Sequence, residues 1–193
     1  MAVTLVTGPV RSGKSARAMS IARSSGLHVS YVATAMHDAG DREWESRLER
    51  HARERPSAWE TIESAGLTQD ALLELFREAE SERCLLVDSL GTWIGARMAG
   101  DLASFERDAA AFAERLDRDA ADIAAAMLES RARVIVVVEE VGWDVVPTSS
   151  SARVFRDILG RMKQRLAAGA EQVLLVVCGF AIDLRALGSA SQA

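Results

Sequence analysis

A run of apolar and β-branched residues, Val3–Thr7, leads directly into Gly8-Pro9-Val10-Arg11-Ser12-Gly13-Lys14-Ser15, and a helical pattern over Lys14–Ser24 follows at once. The octapeptide fits G-x-x-x-x-G-K-[ST] in the context that gives this spacing its meaning, a buried strand before it and a helix after it. The glycines let the backbone wrap tightly, so that amide N–H groups converge at the positive end of the helix. Such a point holds phosphate oxygens. Gly8, Pro9, Val10, Arg11, Ser12, Gly13, Lys14 and Ser15 are therefore the predicted phosphate-binding residues. Lys14 is placed to reach the β- and γ-phosphates of a nucleoside triphosphate, and the Ser15 hydroxyl to ligate Mg²⁺.

The rest of the chain repeats the strand-then-helix order. Val29–Ala33, Cys84–Val87, Val134–Val138 and Val173–Val177 read as further buried strands. Helical patterns cover Arg42–Arg53, Thr68–Glu80, Leu102–Ser130 and Ser151–Ala168, the last opening on a serine cluster suited to N-capping. Continuous apolar strands separated by helices predict an α/β fold, a three-layer P-loop NTPase of the RecA-like kind with a mainly parallel central sheet. Right-handed crossovers place ligands at the carboxyl ends of its strands. The 193 residues suit one domain over 1–187, with a small, polar, frayed tail at 188–193. The Ala-rich stretch Ala109–Met127 is a strong helix former with no chemistry of its own, suited to packing or a subunit contact.

Charge and cysteine use narrow the partners. The net charge of −5 offers nothing global to nucleic acid or an anionic membrane. Cys84 and Cys178 adjoin apolar runs and form neither a disulfide framework nor a metal-ligand spacing, which predicts buried thiols in a reducing cytoplasm. Met1–Thr7 lacks the basic start of a secretory leader, and no apolar run approaches the ~20 residues that span a bilayer. Of the 23 basic residues only Lys14 and Lys163 are lysines, which makes a lysine inside a glycine loop harder to ascribe to chance.

Two further stretches carry chemistry. Asp88 follows Cys84–Val87 and fits a Walker B carboxylate that holds Mg²⁺; a strand-end cap is the other reading. Glu139-Glu140 ends Val134–Val138 at the same sheet edge, as a second carboxylate site or a solvated strand end. The N-K-x-D motif of guanine-specific GTPases is missing from the chain. Within Asp41–Pro56, Trp44, Leu48 and His51 fall on one helix face, with Arg47, Arg53 and Arg55 nearby. A neutral imidazole there can attack phosphorus while guanidiniums hold the developing charge. From the residues alone, a histidine on an apolar helix face is more often a packing residue.

These stretches together resemble the bifunctional adenosylcobinamide kinase/adenosylcobinamide-phosphate guanylyltransferase family of cobalamin biosynthesis. The family's G-[GA]-x-R-S-G-K-S appears as GPVRSGKS, and its Y-I-A-T strand as Tyr31-Val32-Ala33-Thr34. Its D-x-E-M-x-x-R-[IV]-x-x-H…R-P stretch appears as Asp41, Glu43, Trp44 in place of Met, Arg47, Leu48, His51, Arg55 and Pro56, followed by Trp59, Thr61 and Glu63. Asp88–Trp93, Glu139–Pro147 and the run Arg153, Phe155, Asp157, Gly160 and Gln164 are similar to later family elements. Glu139 stands where Asn is usual, Asp144 where glycine is usual, Thr148-Ser149 where an acidic residue and Asn are common, and Lys163 where Asn or His is common.

The resemblance implies two transfers at one site: phosphorylation of adenosylcobinamide by ATP or GTP, then transfer of GMP from GTP to adenosylcobinamide phosphate through a guanylyl-histidine. It assigns His51 as the nucleophile and adds Ala33, Thr34, Ala35 and Glu63 as nucleotide contacts. Arg47, Arg53 and Arg55 become candidates for binding the triphosphate near His51 or, for some of them, a solvated helix face. It leaves Glu140, Arg153 and Arg156 to substrate or subunit contact, and it implies a homotrimer. A plain small-metabolite kinase, in which His51 only packs, and a RecA-like ATPase module are the rival readings.

Overall fold

The apolar run before the glycine loop forms strand β1, Ala2–Gly8, buried from Val3 onward. Burial on both faces explains why it lacks an alternating pattern. The structure, a computed structural model, describes residues 2–143 and 145–188. After β1 come α1 (Lys14–Ser24), β2 (His28–Ala33), α2 (Arg42–Glu54), β3 (Glu60–Glu63), α3 (Gln69–Arg77), β4 (Arg83–Asp88) and α4 (Leu90–Gly100). Then follow α5 (Leu102–Arg107), α6 (Ala109–Glu129), β5 (Arg133–Glu139), α7 (Ser150–Gly169), β6 (Gln172–Val177), β7 (Phe180–Asp183) and α8 (Leu184–Leu187).

The strands form one sheet in the order β3-β2-β4-β5-β1-β6-β7. All neighbours are parallel except β6 and β7. A core lies on each face. Ala18, Met19 and Ala22 of α1 pack on Val6, Tyr31, Leu86 and Val137. On the other face Phe76, Trp93, Ile123, Met127 and Leu159, from four helices, cover Leu5, Leu85 and Val136. The predicted three-layer α/β fold is the one observed.

The differences from expectation are local. The helix predicted over Leu102–Ser130 is broken at Asp108, which is extended and N-caps α6 by accepting from the Ala110 and Ala111 N–H groups. A short acid that competes for backbone donors starts a new helix rather than continuing the old one. Most of the apolar face of α6, from Phe112 to Met127, is buried within the chain. The segment predicted over Thr68–Glu80 is shorter at both ends, because the Thr68 hydroxyl caps α3 from outside.

Helices α4 and α8 and strands β3 and β7 had no strong local pattern. Helix α4 contains Gly91, Thr92 and Gly95, poor helix formers, and is held by burial of Leu90, Trp93 and Ile94. Strand β3 is a four-residue edge strand. Strand β7 returns through Cys178-Gly179, both at positive φ, the two-residue turn that matches strand twist. This turn leaves Cys178 exposed, contrary to the expectation of two buried thiols. Cys84 is buried, and burial pushes its thiol up to about 11. Among the described residues no helix is long and apolar enough to cross a membrane. Asp144 and the tail after Gly188 lie outside the described residues.

Candidate active site

The glycine loop takes its shape from contacts that exclude side chains. A Cβ on Gly8 would lie 2.3 Å from the Val176 carbonyl oxygen, so β1 ends in the one residue that fits under β6. Arg11 (φ 58°) and Gly13 (φ 94°) turn the backbone through the left-handed region into α1. From outside, the Gly179 N–H donates to the Ser12 carbonyl at 2.9 Å, so the β6–β7 turn braces the loop. The Lys14 ammonium donates to the Pro9 carbonyl at 3.4 Å.

Asp88 ends β4, which is separated from β1 by β5. The parallel register sets Gly8 opposite Glu139 and Asp88 opposite Val137, which brings both strand ends to one edge. Across that edge the Ser15 hydroxyl donates to Asp88 Oδ1 at 3.4 Å, and the Tyr31 hydroxyl donates to Asp88 Oδ2 at 2.8 Å. Burial and the negative charge of Asp88 hold the Tyr31 phenol far above its ordinary range, so it stays a donor. Ser15 and Asp88 offer the hard oxygen donors that suit Mg²⁺. Among the described residues no group of three or more His, Cys, Asp or Glu forms a metal cage. A site completed by phosphates and water needs none.

Helix α2 begins at Asp41, whose carboxylate accepts from the Trp44 N–H. None of its residues is buried. Trp44, Leu48 and His51, the predicted face, point into a cleft of about 590 Å³ that Lys14, Ser15 and Asp88 also line. This face therefore does not pack His51 into the core. The indole N–H of Trp44 donates to the Met36 carbonyl at 2.7 Å, and Glu45 accepts from the Asp38 N–H and pairs with His37, so the segment after β2 is strapped to α2. His51 is half-exposed, with Nδ1 3.7 Å from a Glu54 carboxylate oxygen. The Arg55 guanidinium stacks 3.8 Å from the Tyr31 ring centroid.

Val10, Arg11, Ser12, Gly13, Lys14, Ser15, Ala33, Ala35, His51, Arg55, Glu63 and Asp88 all line this cleft. Gly8 and Pro9 sit behind it, shaping the loop. Thr34 is buried and spends its hydroxyl on Ser89, donating to the carbonyl at 2.6 Å and accepting from the N–H at 2.7 Å. Arg53 is exposed and does not line the cleft, whereas Arg47 and Arg50 do. Glu139 lines it and accepts from the Ser89 hydroxyl and, at 3.0 Å, from the Gly91 N–H, fixing the start of α4. Glu140 is instead engaged by Thr7 and Lys163. Arg153 and Arg156 bind carbonyls of the segment before α7, at Thr148 and Gly142 among others.

Sequence reasoning passed over Tyr31 as a site residue, because a tyrosine amid a buried strand carries no spacing signal. Ser89 and Thr92 were legible in principle, since S-x-x-T after an apolar strand marks a helix start.

Comparison with known proteins agrees with this geometry. The family model described as cobinamide kinase / cobinamide phosphate guanyltransferase matches residues 4–184. The bifunctional adenosylcobalamin biosynthesis protein CobP of Pseudomonas aeruginosa is 36% identical over 181 residues, covering 94% of this chain and 96% of that protein. Its Escherichia coli counterpart CobU is 34% identical, covering 94% and 98% respectively. Among solved structures, an ATPase from a bacterial type III secretion system superposes with a TM-score of 0.58 at 12% identity, covering 94% of this chain and 56% of that one. This likeness speaks for the fold alone. With the glycine loop, the strand-end aspartate and the histidine helix on one cleft, the chain belongs to the cobinamide kinase / cobinamide phosphate guanyltransferase family and is an enzyme of that family.

Proposed function

We propose that the chain phosphorylates adenosylcobinamide with a nucleoside triphosphate, ATP or GTP, and then transfers GMP from GTP to the resulting phosphate, giving adenosylcobinamide-GDP. The observation that carries this reading is the shared cleft: His51 and the phosphate loop, 37 positions apart from Lys14 in sequence, line one cavity. A packing histidine belongs on a helix with a buried face, and α2 has no buried residue.

In the first transfer the corrinoid hydroxyl oxygen attacks the γ-phosphorus, and the nucleoside diphosphate leaves. Lys14 and the loop N–H groups offset the charge that builds on the phosphate oxygens. In the second, a His51 ring nitrogen attacks the α-phosphorus of GTP, and the bond to the bridging oxygen breaks to release pyrophosphate. A phosphate oxygen of the corrinoid then displaces the imidazole and takes the guanylyl group. Arg47, Arg50 and Arg55 on the same wall of the cleft support binding of the triphosphate. Ser15 and Asp88 would hold Mg²⁺, which supplies charge neutralisation on the phosphates when bound.

This reading places the enzyme in the cytoplasm as a homotrimer. Large apolar side chains exposed on β7 and α8, Phe180 and Leu187 above all, support self-association. The deciding experiment is incubation with α-labelled GTP and Mg²⁺. The parent protein takes up acid-labile label, and His51→Ala takes up none; persistent label in His51→Ala would sink the nucleophile assignment.

A further inference from the structure

Tyr31 is 3% exposed in the middle of β2, and both of its polar faces are committed. Its hydroxyl donates to Asp88 Oδ2 at 2.8 Å, which leaves Oδ1 turned toward Ser15 at 3.4 Å. Its ring carries the Arg55 guanidinium at 3.8 Å, and Arg55 caps the C-terminus of α2, four positions beyond His51. Among the described residues Arg55 makes no ion pair, and its Nε is buried without a hydrogen-bond partner. Its attachment is Tyr31, whose ring it stacks on and whose hydroxyl it also approaches. Because α2 buries no residue, few contacts hold its C-terminal end: this stack, and the Arg23 guanidinium donating to the Glu54 carbonyl at 3.2 Å.

We propose that Tyr31 is a positioning residue coupling the two halves of the cleft: its hydroxyl fixes the Asp88 carboxylate facing Ser15, and its ring seats the end of the helix that presents His51. The role rests on the two-transfer reading above. A carboxylate held at one oxygen loses its free rotation and keeps the other oxygen aimed at Ser15, and so at the cation those two groups would share. A planar guanidinium seated on an aromatic face sets the height of the helix end, and with it the approach of the imidazole to the α-phosphorus. One side chain thereby keeps the metal-side oxygen and the nucleophile in a common frame.

The two arms separate by mutation. Tyr31→Phe removes the hydroxyl and keeps the ring; Tyr31→Leu removes both. Two measurements avoid turnover altogether. Mn²⁺ binding to the protein with a non-hydrolysable GTP analogue is followed by electron paramagnetic resonance of the free ion. The rate of His51 modification by diethylpyrocarbonate, without nucleotide, is read by peptide mass spectrometry.

Both variants are expected to bind Mn²⁺ about tenfold more weakly, the worth of one hydrogen bond to a charged group. Tyr31→Leu should change the His51 modification rate by several-fold, with Tyr31→Phe, which keeps the stacked ring, closer to the parent. Parental Mn²⁺ affinity in Tyr31→Phe overturns the Asp88 arm, and equal His51 rates in the two variants overturn the Arg55 arm. Failure of the parent to become guanylylated on His51 would sink the two-transfer reading separately, since neither measurement depends on it.

Discussion

The Lys163 ammonium and the Glu140 carboxylate, 23 positions apart in sequence, meet at 2.6 Å beside the phosphate loop. The other Glu140 oxygen accepts from the Thr7 hydroxyl at 2.6 Å, one residue before the loop begins. Only 9% of the Glu140 side chain is exposed, so these partners stand where water would otherwise solvate it. The one lysine outside the loop thus has a structural use.

Removing one partner of such a pair strands the other. Lys163→Met is expected to lower stability by roughly 3 kcal/mol, because Glu140 keeps a charge without compensation. The double variant Lys163→Met/Glu140→Gln should recover most of the loss. Urea unfolding of the three proteins checks this; equal stability of the single variant and the parent would show that the pair contributes nothing.

Gly8 tests the shape of the loop apart from its chemistry. An alanine Cβ would sit 2.3 Å from the Val176 carbonyl and 2.6 Å from the Ser12 hydroxyl, so β1 or β6 must shift. Overpacking against backbone should cost about 2 kcal/mol or more. The rise in melting temperature that a nucleoside triphosphate gives the parent should also shrink. Melting curves with and without nucleotide read both effects.

Lys14 tests whether one loop serves both transfers. Lys14→Ala should reduce kinase turnover and guanylylation together, each by about a hundredfold or more, as for loss of one charge-stabilising donor. Its contact with the Pro9 carbonyl, at 3.4 Å, is too weak for much loss of stability. Undiminished kinase turnover would contradict a shared site.

Asp117 gives a prediction in pH. Hydrogen bonds from Arg165, opposed by burial and reinforced by Arg161, lower its carboxyl from 3.8 to about 2. A depressed carboxyl stabilises the fold above its unfolded value, and the gain is lost as pH falls from 3.8 toward about 2. With both guanidiniums partly exposed, screening limits the gain at neutral pH to about 1 kcal/mol. Asp117→Asn should be less stable than the parent by that amount at pH 7, and the gap should narrow below 3.8. A gap unchanged down to pH 3 would remove the tie between α6 and α7 as its cause.

Much of the site was legible because its signals are local. A strand, eight residues and a helix suffice to define the phosphate loop, since backbone wrapping depends on glycines at set intervals. Trp44, Leu48 and His51 could be placed on one face from helical spacing alone. The order of the main strands and helices followed from continuous apolar runs, which only a sheet buried on both sides requires. What those runs could not show was α4, β3 and β7, where glycines and short edge segments fold because neighbours cover or pair with them.

Residue pattern alone decided that this chain is an α/β protein with a phosphate loop and a histidine helix. It left open what that helix faces, because an amphipathic face is the same in sequence whether it meets a core or a cleft. Tertiary structure turned the face toward the cleft, buried Thr34 among Ser89 and Thr92, and left Arg53 outside. It also brought Tyr31 between Asp88 and Arg55, residues 57 positions away and on a different helix end, respectively. Contacts between distant segments depend on sheet order and register, and neither is written in any one stretch of residues.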